Sequence, residues 1–431
     1  MNKQKIQPKV VLAASLCSFN EWYDYALYGF FTPIISSLFF SSSDKNNALI
    51  YSLMIFAIGF LSRPLGGLFF GSLTDKYGRK KVLLFSVLLM GAATIAIGSL
   101  PTYAQVGSLA PFLLLFFRII QGFSIGGEYM VSAIYLAEHA PSNRRGTITS
   151  IINVLGGLGC ICALLAGTIV TRFLPEASLL SWGWRLPFWL AFFTSFLSFF
   201  YRLELEESPI FLQLKKKEEL SKSPIKEAFN SHRKGMLICI VLIALQSSSY
   251  YIIQVFLNIW MVDFVGVSIK TSLLYVLFSQ SLVLPFTVLG GYLSDIFGRK
   301  RILIVCSLLF FILALPSFFV MSRQLIFSST TLSLLIPQLI LASIFGLFNG
   351  TLPSALVELF AEKIRGTALS FSYNISAGVI GGTTPLVAVW LIQFTGNKLA
   401  PAFYLMFFSF ICCITLFSLF KKNISTKCLS I

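Results

Sequence analysis

The stretch GSLTDKYGRKKVL, residues 71–83, returns as GGYLSDIFGRKRIL, residues 290–303. Asp75 and Asp295, like Arg79 and Arg299, are 220 residues apart. A second pair keeps the same offset: AEHAPSNRRGTITS, residues 137–150, and VELFAEKIRGTALS, residues 357–370. It sets Glu138 against Glu358 and Arg145-Gly146 against Arg365-Gly366. Two motifs at one common offset identify a duplicated unit.

Between these motifs the chain is apolar. Of 431 residues, 56% are hydrophobic and only 12% charged, with a mean hydropathy of +0.82. Runs of about 20 apolar residues recur from end to end, each long enough to cross a bilayer as a helix. They are continuous rather than alternating, which excludes a strand-based barrel. The first run is too long for a secretion signal, carries Glu21 and Asp24, and lacks a small-residue cleavage site. The pattern predicts an all-α polytopic membrane protein of twelve transmembrane helices in two pseudo-symmetric six-helix bundles. The helices are expected near 10–40, 48–72, 82–100, 108–137, 146–172, 184–203, 234–264, 271–293, 301–321, 330–360, 364–394 and 401–420. The polar stretch from Leu203 to Gly235 reads as a cytoplasmic, partly helical linker, dividing the chain into 1–203, 204–233 and 234–431.

The net charge of +16 invites a nucleic-acid reading, but its placement argues against one. About 25 of the 33 Lys and Arg fall in alternate loops and the termini. Lys45, Arg172, Arg185, Lys270, Arg323 and Lys398 lie in the other loops, and Arg63 and Arg118 within helices. That is the positive-inside pattern, placing both termini in the cytoplasm. The eight cysteines lie almost entirely in apolar helices, which suits small core residues better than disulfides or a metal site. No metal or cofactor is expected. His139 and His232 fall in the cytoplasmic segments and are not expected to carry protons at the midplane.

The Asp-x-x-Gly-Arg-Lys motif, its echo and the twelve-helix count resemble the major facilitator superfamily, whose halves are related by an axis along the membrane normal. EWYDYALYGF, RPLGGLFFGSLTDKYGRKK, FRIIQGFSIGGEY, WGWRLPFWLA, LELEESPIF and SYNISAGVIGGTTPLV look like the metabolite:proton symporter branch, which includes proline/betaine and α-ketoglutarate permeases. The resemblance implies a conformational latch at Asp75, Gly78 and Arg79 and again at Asp295, Gly298 and Arg299. Asp75 is read as capping a helix end or pairing with Arg79. Helix seven departs from the branch: SSSYYIIQVFLNIWM contains no proline.

The deep polar groups do not repeat. At the 220 offset Asp24 faces Ala244, Arg118 faces Gln338 and Glu128 faces Phe348. Ionisable groups at membrane depth are costly and usually functional, so Asp24, Arg118, Glu21 and Glu128 are the proton-coupling candidates. Asp24 is expected to pair with Arg118 and to be the proton site, with Glu21 a second carrier or a scaffold residue, while Arg63, before Pro64, reads as structural. Sugar–proton symporters of the superfamily are similar, having a first-helix Asp and a fourth-helix Arg. Candidate substrate-binding residues are Asn20, Tyr28, Gln121, Tyr250, Gln254 and Asn374.

The resulting expectation is a proton-coupled secondary transporter of a bacterial-type inner membrane, acting as a monomer. Its partners are a small-molecule substrate, a proton and the lipid bilayer, with no nucleic acid. One deep arginine against three carboxylates favours a zwitterion such as proline or betaine over a small mono- or dicarboxylate. An enzyme would need a catalytic constellation or soluble domain, neither of which is visible. Uniport, export or a channel are the remoter readings.

Overall fold

The computed structural model describes residues 7–41, 45–323 and 330–418, and among them every regular element is helical. Cys428 lies outside the described residues. The first half comprises α1 (Pro8–Phe39), α2 (Lys45–Tyr77), α3 (Arg79–Ser99), α4 (Leu109–His139), α5 (Arg145–Phe173) and α6 (Leu186–Leu203). The second comprises α7 (Arg233–Val265), α8 (Ile269–Phe297), α9 (Arg299–Arg323), α10 (Thr330–Val357), α11 (Arg365–Thr395) and α12 (Ala400–Ser418). Eleven of these helices are long and apolar enough to cross a membrane. The twelfth, α1, has 32 residues but carries Asn20, Glu21 and Asp24, all buried inside the bundle. Phe112, Phe193, Leu386 and Phe394 lie on the outer surface, where lipid rather than water is the natural neighbour.

Helices α2 and α4, and again α8 and α10, touch backbone to backbone. A Cβ at Gly122 would stand 1.9 Å from the Gly59 carbonyl, and one at Gly350 1.8 Å from that of Thr287. Across the halves, α2 lies along α11 and α5 along α8. The segment between the halves forms two short helices, Pro209–Lys216 and Pro224–Ser231.

Two local results differ from expectation. The motif at residues 71–83 is not a loop: α2 continues to Tyr77, α3 begins at Arg79, and Gly78 alone makes the turn. Its φ of +104°, matched by +90° at Gly298, is a backbone conformation that glycine supplies without a Cβ clash. The second is that α7 and α11 contain π turns, at Tyr251–Phe256, Met261–Val265 and Ala377–Gly381. Their counterparts α1 and α5 are regular.

Candidate functional site: a cavity between the halves and the contacts that close its far end

At the end that carries the basic turns, the halves exchange caps. The Asp75 carboxylate accepts hydrogen bonds from the backbone N–H groups of Gly366 (2.9 Å) and Thr367 (2.8 Å) and from the Thr367 hydroxyl (2.8 Å). Asp295 accepts the equivalent three from Gly146, Thr147 and the Thr147 hydroxyl at 2.8, 2.8 and 2.7 Å. Each acid therefore caps the first turn of a helix in the opposite half, where unpaired amides and the helix dipole favour a carboxylate. Of the two roles open to Asp75 in the sequence, capping is the one seen. Arg79 instead grips Glu138 with Nε and Nη2, both at 3.1 Å. Arg365 reaches the same Glu138 from the other half at 3.0 Å, and Arg145 reaches Glu358 at 3.3 Å.

The two closures differ in burial. The Arg79 and Glu138 side chains are 1% exposed, those of Arg299 and Glu358 12% and 35%. The linker makes the difference. Glu207 accepts from the Arg79 amide at 2.8 Å, Ser208 hydrogen-bonds Glu138, and the Phe211 ring covers Arg79 at 5.3 Å.

Deeper in the first half, every carboxylate has an arginine. Arg118 lies 3.4 Å from Asp24, donates to Gln121 at 2.6 Å, and stacks on the Tyr28 ring at 3.6 Å. Glu21 lies 3.0 Å from Arg63, and Glu128 3.0 Å from Arg202. All six side chains are essentially buried. The reading of one arginine against three acids is thus corrected to three pairs. Arg202 belongs to the deep set and not with the loop charges: it is fully buried and donates to the Leu83 carbonyl at 2.6 Å. Arg63 does more than support its own helix. Its Nε donates at 3.1 Å to Asn374, which is held in turn by the carbonyls of Gly126 (2.6 Å) and Ser370 (2.7 Å). Arg63 therefore links α1, α2 and α11.

A cavity of about 510 Å³ lies between the halves, on the side away from the caps. Trp22, Tyr25, Phe60, Tyr250 and Tyr251 form its aromatic walls, with Gln254 and Gln280 as polar points. Among the described residues Arg63 is its only charged lining group. The Trp22 and Tyr250 rings, 4.9 Å apart edge to face, separate it from a chamber of about 30 Å³ nearer the caps.

Of the six residues expected at a substrate site, Tyr250 and Gln254 line the cavity. Asn20, Tyr28 and Gln121 do not. At about 100° per residue, Trp22, Tyr25, Ala26 and Gly29 share the cavity stripe of α1, while Asn20, Asp24 and Tyr28 point roughly the opposite way. Tyr28 is occupied under Arg118, and Gln121 bridges Arg118 to Thr94 at 2.8 Å. Asn374 is the mooring of Arg63. Glu21 lies roughly 90° round α1 from the cavity stripe and does not line the cavity, but it reaches Arg63 from behind at 3.0 Å. The imbalance of three acids to one arginine was the sequence signal that two more cations had to be nearby.

Comparison with known proteins agrees with this architecture. The family described as "Sugar (and other) transporter" matches residues 10–234, and "Major Facilitator Superfamily" matches residues 271–427. A glycine betaine/proline/ectoine/pipecolic acid transporter of Dickeya dadantii (strain 3937) is 35% identical over 428 residues, 97% of this chain and 84% of the relative. A solved proton:xylose symporter bound to 6-bromo-6-deoxy-D-glucose superposes with a TM-score of 0.78 at 19% identity, covering 97% of this chain and 96% of its own. An inward open xylose transporter from E. coli gives 0.62 at 18% identity, with 96% of each chain covered. These two structures share its fold.

Proposed function

We propose a function for this chain from one premise: it belongs to the major facilitator superfamily of transporters. It is a secondary transporter that carries a small zwitterion of the proline or glycine betaine class together with a proton, by alternating access. The observation that carries this reading is the cavity lining. Its one charged residue is already balanced by Glu21, and the rest of its wall is aromatic or neutral. Aromatic faces hold quaternary ammonium groups, and a guanidinium holds a carboxylate. A dicarboxylate would bring two negative charges to one balanced arginine, which disfavours that alternative. The similarity to the Dickeya transporter supports the same substrate class.

The reciprocal caps at Asp75 and Asp295 act as the latch that holds the basic end shut. Gly78 and Gly298 set the turns, while Arg79 and Arg299 tie the acids of each half. The proton resides on one of the buried carboxylates Glu21, Asp24 and Glu128, each poised against an arginine. A proton falling through 100 mV supplies about 2.3 kcal/mol, enough for roughly 50-fold accumulation at about 1.4 kcal/mol per decade. The basic end faces the cytoplasm of a bacterial-type inner membrane, and the monomer is the working unit.

The test is reconstitution into liposomes, with counterflow of proline, glycine betaine and several carboxylates, followed by uptake under an imposed proton gradient. Counterflow of the zwitterions with accumulation above equilibrium is expected. Exclusive counterflow of carboxylates, or uptake that stops at equilibrium, overturns the substrate class or the coupling respectively. Single cysteines at position 398 are expected to label from outside and at position 300 from inside; the reverse overturns the orientation.

A further inference from the structure

We infer that Arg63 and Glu21 form a single exchange site, at which the carboxylate of the substrate takes Arg63 from Glu21 and Glu21 takes the coupled proton. The inference rests on the transport reading above and assigns its chemistry to one pair.

Geometry separates the three buried pairs. Arg118 is sealed beneath Tyr28 on the face of α1 turned away from the cavity. Arg202 and Glu128 are fully enclosed between α4 and α6. Arg63 alone borders the cavity, with Glu21 immediately behind it. Like the other two pairs, this one is incompletely satisfied, Glu21 Oε2 being buried without a hydrogen-bond partner, so it is access to the cavity that sets it apart. Arg63 is also fixed for reception. Asn374 holds Nε, and the rings of Tyr25 and Phe60 flank the guanidinium at 5.7 Å.

A carboxylate entering this cavity has one cation to meet, and a guanidinium binds carboxylates in a two-pronged fork. Its arrival competes with Glu21 for the same nitrogens. Among the described residues, the charged group that acts on Glu21 besides Arg63 is Glu128, itself 3.0 Å from Arg202; Cys17 and Tyr25 on α1, Tyr129 on α4, Cys160 on α5 and Tyr373 on α11 are the other titratable groups nearby. A buried carboxylate stripped of its cation takes a proton. The step balances simply: one carboxylate and one proton become one carboxylic acid, and no other bond changes. When the proton leaves on the far side, Glu21 reclaims Arg63 and releases the substrate. The hydrogen bond from Arg63 to α11 links this exchange to the helix whose first turn Asp75 caps.

The experiment uses the purified full-length chain in detergent and in liposomes, with glycine betaine as probe and choline, its analogue lacking the carboxylate, as control. In weakly buffered solution, adding glycine betaine to the wild type is expected to draw about one proton per bound molecule, and choline none, as mass-action linkage requires. Glu21→Gln removes the competitor, so binding should tighten about tenfold, become independent of pH, and no longer drive accumulation. Arg63→Gln should weaken binding by about 100-fold, the scale of losing a charge-assisted clamp. Glu21→Gln with Arg63→Gln removes both charges and serves as the folded control should either single variant fail to fold. No proton uptake by the wild type overturns the inference, as does proton-driven accumulation by Glu21→Gln or uncoupling by Asp24→Asn alone. Failure of the wild type to bind or exchange any zwitterion instead overturns the transport reading beneath it.

Discussion

The two halves share a fold and divide the chemistry. Their helices pair alike, their turns hinge on Gly78 and Gly298, and each lends the other a capping acid. Yet all three deep ion pairs lie in the first half, in helices of regular geometry. The second half answers with serines, glutamines and tyrosines on helices widened by π turns. Such turns displace side chains from the ordinary helical stripe and are frequent at functional sites. Duplication supplied the frame; the division of labour followed from which buried positions acquired charge. On the reading proposed above, the charged half holds the proton, and the neutral half adds uncharged wall to a cavity that both halves line.

The sharpest break in this comparison is at Arg202. Arg202→Ala strands Glu128 in the core and should cost about 3–5 kcal/mol. At the matching second-half position of Glu128, Phe348→Leu should cost only about 1 kcal/mol. Melting of the purified proteins in detergent reads both, and similar costs would show that the first half does not depend on its charges. The latches come next. Asp75→Asn should lower net transport about tenfold and Asp295→Asn about threefold, with substrate affinity within a few-fold in both, because the first closure is buried and the second partly screened. Loss of binding at normal exchange rates would count against a latch. The smallest effect is expected at Gly381→Ala, whose new Cβ would stand 2.9 Å from the Tyr251 ring and 3.1 Å from Ser247. Crowding the π turn should raise the apparent KM about threefold, whereas Ile161→Val at the equivalent position in α5 should leave it unchanged. Equal shifts would remove the distinction between the walls with and without π turns.

The frame was readable because it is periodic. Apolar runs and a fixed offset are properties of whole segments, and no single side chain can disguise them. Asp24 and Arg118 were readable as partners because an arginine deep in an apolar run needs a counter-charge and Asp24 is a deep acid on another helix. Arg202 was not, since it stands in YRLELEE at a helix end, where arginines gather for topological reasons. Its partner is 74 residues away, and only the fold shows the side chain turning inward. Arg63 was masked by the adjacent Pro64, which suggested a backbone role. Asn20 and Tyr28 were chosen for nearness to Asp24, yet nearness on one helix face means distance from the opposite one. Nothing in SSSYYIIQVFLNIWM announces a π turn; in the fold that stretch lies against α11.

The reciprocal caps carry a genetic consequence. The acids are side chains, but of the seven groups that bind them four are backbone amides, the others being the Thr147 and Thr367 hydroxyls and, at Asp295 alone, Arg299 at 2.7 Å. Substitution removes such an amide only when proline is introduced. Alleles that weaken the closure should therefore collect at Asp75 and Asp295, and at Gly146 and Gly366, where a Cβ would meet the Gly291 carbonyl at 2.5 Å and the Gly71 carbonyl at 2.9 Å, while Thr147 and Thr367 tolerate change more readily. At Asp75, unlike Asp295 with its Arg299 partner, suppressors cannot arise by exchanging the signs of two partners, the usual rescue of a broken ion pair, because a peptide N–H has no opposite sign to adopt. Reversion at the acid, or compensation elsewhere in the two ion-pair clusters around Glu138 and Glu358, is what a selection for restored growth should return.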